Sequence, residues 1–86
     1  MTTIERLQAL LARDFELQPA ALEPAATLES LDIDSLRMIE ILFSVEEAFG
    51  ISVTAEPAEI RERVLTLGDL AGYIDELVAA KGRAPA

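Results

Sequence analysis

Apolar residues in this chain return every three or four positions, in blocks bounded by helix-capping residues. That rhythm confines the fold to packed helices. Ile4, Leu7, Leu11 and Phe15 share one face, and Thr2 with Glu5 three residues later forms a capping box. The spacing predicts a helix over 3–15. A second stripe, Met38, Leu42, Val45 and Phe49 with Ile41 at its edge, predicts a helix over 35–49. Asp34 is its N-cap and Gly50 its terminating glycine. Pro57 suits the first turn of a short third helix over 57–64, where Ile60 and Val64 lie four apart. Leu67, Leu70, Ile74, Leu77 and Val78 mark a fourth over 67–80, capped by Thr66 and Asp69. Ile51-Ser52-Val53 alternates but is too short to read as a strand.

The expected fold is therefore all-α: a small four-helix bundle with a long loop between helices 1 and 2 and a short third helix. Residues 17–34 form that loop. Pro19 and Pro24 punctuate it, and Leu22, Leu28 and Leu31 are spaced too widely for a helix. The leucines are expected to pin the loop to the core. A loop this long in so small a domain points to a function or to a hidden helical turn. Eighty-six residues support one core. Residues 1–81 are expected to form a single domain, with 82–86 a flexible tail. The aromatic residues are Phe15, Phe43, Phe49 and Tyr73, so the core must be aliphatic.

Charge and side-chain chemistry narrow the function. The net charge is −9, which repels nucleic acid and favours partners with basic patches. No apolar run approaches a membrane span, and the opening residues lack a basic region and an apolar signal core. The expectation is a cytoplasmic monomer. The chain has no His and no Cys. It therefore lacks the usual acid–base and thiol groups, and no catalytic residue or metal site is expected of it.

The second helix carries the functional signal. Beside its core stripe runs another apolar arc, Leu36, Ile39 and Phe43, with Glu46 inside it and Glu40 and Glu47 at its flanks. A glutamate within an arc makes burial of that arc costly. The arc is expected to be wet, and apolar residues rimmed by charge mark a partner surface. Ser35 stands at its N-terminal end, where a helix favours a phosphate. Asp-Ser is also an ordinary way to start a helix, so the cap pattern alone leaves both readings open. A hydrolase with Ser35 as nucleophile lacks a base and a Gly-x-Ser-x-Gly elbow. A calcium loop starting at Asp32 would meet Leu36, Arg37 and Phe43 at positions that require ligands or glycine. An unmodified acidic interaction module remains open.

The stretch LESLDIDSLRMIEILFSVEEAFGISV resembles the core of an acyl carrier protein. In that family the serine of a Leu-Gly-x-Asp-Ser-Leu motif begins the second of four helices and carries 4′-phosphopantetheine. Leu31, Asp34, Ser35, Leu36, Glu40, Glu46, Glu47 and Phe49 match the pattern. The resemblance implies that a phosphopantetheinyl transferase moves the arm from coenzyme A to Ser35. Acyl chains would ride on the arm as thioesters, to be delivered to fatty acid or polyketide-type synthesis enzymes. It implies that Asp34 helps place the transferase's Mg2+. It also maps Asp34, Leu36, Arg37, Glu40, Phe43, Glu46 and Glu47 to a partner-reading face, and Leu42, Val45, Ile60 and Val64 to an acyl-chain pocket.

Three features depart from the family pattern. Asp32 replaces the usual glycine. Arg37 stands where housekeeping carriers often have an acid. The segment between Val53 and Thr66 is slightly longer. These departures favour a specialised carrier. Carriers of amino acids, peptides or D-alanine would keep Ser35 and the arm, but the net acidity and the Asp before Ser35 lean towards acyl cargo.

Overall fold

The computed structural model describes residues 2–83. Its helices are α1 (Thr3–Asp14), α2 (Ser35–Phe49), α3 (Pro57–Arg63) and α4 (Leu67–Arg83), with a short 3-10 turn over Pro19–Ala21. Among the described residues there is no strand, only an isolated antiparallel bridge between Thr27 and Thr66. The all-α four-helix expectation holds.

Local chemistry sets the helix ends. Thr2 and Glu5 form the reciprocal capping box that opens α1. Gly50 ends α2 in the left-handed region, with φ 65°. Thr66 accepts from the Asp69 amide at 3.0 Å, while Asp69 accepts from the Leu65 and Thr66 amides at 3.1 and 3.2 Å. α4 runs to Arg83, beyond the expected end near residue 80, so residues 82 and 83 continue the helix. The rest of the expected tail, 84–86, lies outside the described residues.

α1 packs chiefly against α4, and α2 against α3. Leu7, Leu11, Met38, Ile41, Val45, Leu67, Leu70 and Ile74 meet in one aliphatic cluster. Full burial of each such side chain contributes about 1.5–3 kcal/mol. Val78 departs from the expected apolar face of α4, being 40% exposed. The Thr3 hydroxyl donates to Asp75, which fixes where α1 begins along α4. Val78 lies about a turn farther along α4.

The long loop is tied down by backbone bonds to the α3–α4 junction. The Leu28 amide donates to the Leu65 carbonyl at 2.9 Å, the Leu67 amide to Ala26 at 3.0 Å, and the Gly68 amide to Pro24 at 2.8 Å. That last approach is close: a Cβ on residue 68 would stand 3.1 Å from the Pro24 oxygen, a tight contact that glycine avoids. Leu22 and Leu28 are buried as expected. Leu31 is only half-buried, and Ile33 takes the last anchoring position before α2. No helix among the described residues is long and apolar enough to cross a membrane.

Candidate functional site

Ser35 is the first residue of α2 and is exposed. Its hydroxyl makes no hydrogen bond among the described residues. The Asp34 side chain caps the helix, accepting from the Arg37 amide at 2.8 Å, and the Asp34 carbonyl accepts from the Met38 amide at 2.8 Å. The amides of Ser35 and Leu36 have no helical partner, because the first turn of any helix leaves its N–H groups open. Two open donors at the positive end of a 15-residue helix suit an anion linked to the serine oxygen.

The approach to Ser35 is held by burial and backbone hydrogen bonds. The Ile33 side chain is buried and its amide donates to the Leu28 carbonyl at 2.9 Å. Its carbonyl accepts from Nε of Arg61 on α3, at 2.8 Å. Asp32 adopts φ 57°, the left-handed region. This is where a glycine is at home, and aspartate is among the few other residues that enter it at modest cost. Glu29, Asp32, Ile33, Asp34 and Arg61 line an open cleft of about 290 Å³ beside the serine. Among the described residues no cluster of His, Cys, Asp or Glu is arranged to hold a metal ion.

Along α2, Leu36 is 74% exposed and Phe43 66%, and Ile39 is the least open of the three at 36%. The arc is wet, as the glutamate within it predicts. Glu40 and Glu47 are exposed beside it. Glu46 differs: it is half-buried, and its carboxylate accepts from the Val53 amide at 2.8 Å. It ties down the segment after α2. Arg37 lies at the edge of the arc, with its guanidinium 3.6 Å from Glu40 and 5.7 Å from the Phe15 ring centre.

Leu42, Val45, Ile60 and Val64 are all buried in the core cluster. They are not gathered around one cavity. Leu42 borders a groove of about 200 Å³ with Ile39, Phe43, Glu46, Val53 and Ala55. Ile60 and Val64 border a separate cleft of about 340 Å³ between α3 and α4, rimmed by Arg63, Asp69 and Tyr73. The Arg61 clamp on Ile33 escaped the sequence reading. It joins residues 28 apart, and no periodic pattern signals it.

An exposed, unpaired hydroxyl on a held helix N-terminus fits covalent attachment of a phosphate-linked group. It does not fit serine catalysis, for which the chain offers no histidine. Comparison with known proteins agrees. The model of the phosphopantetheine attachment site family matches residues 5–74. An acyl carrier protein of Helicobacter pylori (strain G27) is 31% identical over 77 residues, covering 88% of this chain and 95% of the relative. One from Thermosynechococcus vestitus is 32% identical over 78 residues, 90% and 93% of the two chains. The acyl carrier protein AcpXL of Brucella melitensis biotype 1 is 33% identical over 89 residues, 93% and 96% of the two. The chain belongs to the acyl carrier protein family, whose members are carriers rather than catalysts and hold 4′-phosphopantetheine covalently.

Proposed function

We propose that Ser35 is the attachment site and that residues 1–81 act as one monomeric, cytoplasmic carrier unit. The observation that carries this reading is the exposed Ser35 hydroxyl, without a hydrogen-bond partner among the described residues, at the capped start of α2. The phosphodiester would lie against the open amides of Ser35 and Leu36. The arm supplies a thiol, the group this Cys-free chain lacks, and holds acyl cargo as a thioester. Asp34 serves the loading transferase by shaping the helix start and helping to place its Mg2+. Leu36, Arg37, Glu40, Phe43 and Glu47 form the surface read by the transferase and by synthase enzymes with basic patches. Glu46 supports that surface from below.

For the acyl chain, the groove beside Leu42 is the better entrance. It is lined mostly by apolar side chains and opens next to Phe43 and Ile39, on the face that carries Ser35. The inner ends of Val45, Ile60 and Val64 would then be reached only if α3 shifts. The cargo is an acyl chain for fatty acid or polyketide-type synthesis, in a specialised pathway. Arg37 and Asp32 support that assignment by changing the charge and backbone around the serine.

The test is to isolate the protein from cells that also express a phosphopantetheinyl transferase, and to eject and weigh the thioester cargo by mass spectrometry. Acyl groups released by hydroxylamine support the reading. Aminoacyl or peptidyl groups replace it with a peptide-type carrier. A protein isolated without an arm overturns the carrier assignment for Ser35.

A further inference from the structure

The exposed face of α2 is not uniformly acidic, and its charges are placed unevenly. Helical phase puts Leu36, Glu40, Phe43 and Glu47 within about 60° of one another, with Arg37 about 60° beyond Glu40. Along the axis Glu40 lies about 10 Å or less from Ser35, and Glu47 about 18 Å. The Arg37 guanidinium stands 3.6 Å from the Glu40 carboxylate, one helical turn apart. It also faces the Phe15 ring at 5.7 Å, on the Glu40 flank of the face. Glu46 is committed to the Val53 amide. Glu47 has neither an ion pair nor a hydrogen-bond partner among the described residues. Leu36 and Phe43, the most exposed of the large apolar side chains, occupy the side of this sector away from Arg37.

We infer that Arg37 is a specificity-determining residue that screens Glu40, so that the Ser35 end of α2 is read through apolar contact and the carboxylate-seeking cations of a partner engage Glu47. The occupant of this face is a partner enzyme with an apolar socket close to its active site and its cationic side chains set about 18 Å away, opposite the C-terminal half of α2. A partner whose cations are set to reach Glu40 meets the Arg37 guanidinium on that flank of α2 and is disfavoured by like charge. The inference rests on the carrier reading of Ser35.

The probe is a broad-specificity phosphopantetheinyl transferase with a cationic docking surface, assayed with coenzyme A and Mg2+ at low ionic strength. KM and kcat for the carrier are measured for the native protein, Arg37→Ala, Glu40→Gln and the double variant, with helicity checked for each. If Arg37 screens Glu40, Glu40→Gln raises KM by a factor about two to four times larger in the Arg37→Ala background than in the native one, with kcat unmoved. The excess disappears at high salt. Glu47→Gln raises KM in both backgrounds, and Leu36→Ala raises it at low and high salt alike. Equal factors for Glu40→Gln in the two backgrounds overturn the screening role. Absence of loading on every variant, the native protein included, overturns the carrier reading instead.

Discussion

Replacing Asp34 with alanine separates what holds α2 in place from what the helix displays. The Asp34 carboxylate accepts the Arg37 amide at 2.8 Å, and no other side chain among the described residues caps this helix start. Its loss costs about 1 kcal/mol, within about 0.5–2 for N-caps. Loss of negative charge at the positive end of the helix adds about 0.3–1 kcal/mol. In a domain of this size each kcal/mol moves the midpoint by about 4–8 °C. The two costs together come to about 1.7 kcal/mol, so Asp34→Ala is expected to lower the Tm by about 7–13 °C. Asp34→Asn keeps an acceptor and gives up only the charge, so it should lose less than half as much. Ser35→Ala removes an exposed hydroxyl without a partner among the described residues, and stays within about 0.5 kcal/mol of the native protein. Thermal melts followed by circular dichroism measure all three. Amide exchange at Arg37 adds a local reading and should accelerate in Asp34→Ala alone. An Asp34→Ala protein that melts with the native one, or a Ser35→Ala protein that melts well below it, refutes this account of the helix start.

Three further outcomes follow from the packing and the charge. Leu28→Ala empties a fully buried site that anchors the long loop, and should cost about 2–5 kcal/mol in denaturant unfolding; a cost below about 1 would mean the loop is not anchored there. The Glu5 carboxyl is held below its ordinary pKa of 4.5, first by the Thr2 amide and then by the Thr2 hydroxyl. A lowered folded pKa gives stability that is complete above the unfolded value and fades as the pH falls through the folded one. The melting advantage of the native protein over Glu5→Gln should thus be full above about pH 4.5 and shrink on acidification below it; an advantage that grows in acid has the wrong sign. With 16 acidic and 7 basic residues, the native Tm should rise as salt or Mg2+ screens self-repulsion, and a flat or falling series contradicts that.

Much of this molecule was legible because local signals and tertiary demands coincide. Thr2 with Glu5, Asp34, Gly50 and Thr66 with Asp69 all cap where the sequence places them. Leu36 and Phe43 are wet as expected, although Glu46, the residue that suggested it, is itself half-buried. What the sequence hid was long-range. Ile33 is buried more deeply than Leu31, which packs against the core only in part, and the left-handed turn at Asp32 lies between them. Arg61 reaches across from α3 to the Ile33 carbonyl, and Glu46 turns in to the Val53 amide. Neither bond leaves a trace in hydrophobic spacing. The four residues expected to line an acyl pocket are all buried in the core, with grooves beside Leu42 and beside Ile60 and Val64, and helical periodicity marks such burial but not the gaps between buried residues.

The most direct measurement is the intact mass of the native protein and of Ser35→Ala after incubation with coenzyme A, Mg2+ and an active phosphopantetheinyl transferase. One phosphopantetheine unit should appear on the native chain and none on the variant, whose unchanged melting temperature shows that it is folded. An arm that persists in Ser35→Ala, or a native chain left bare while a control carrier is loaded in the same tube, contradicts the assignment.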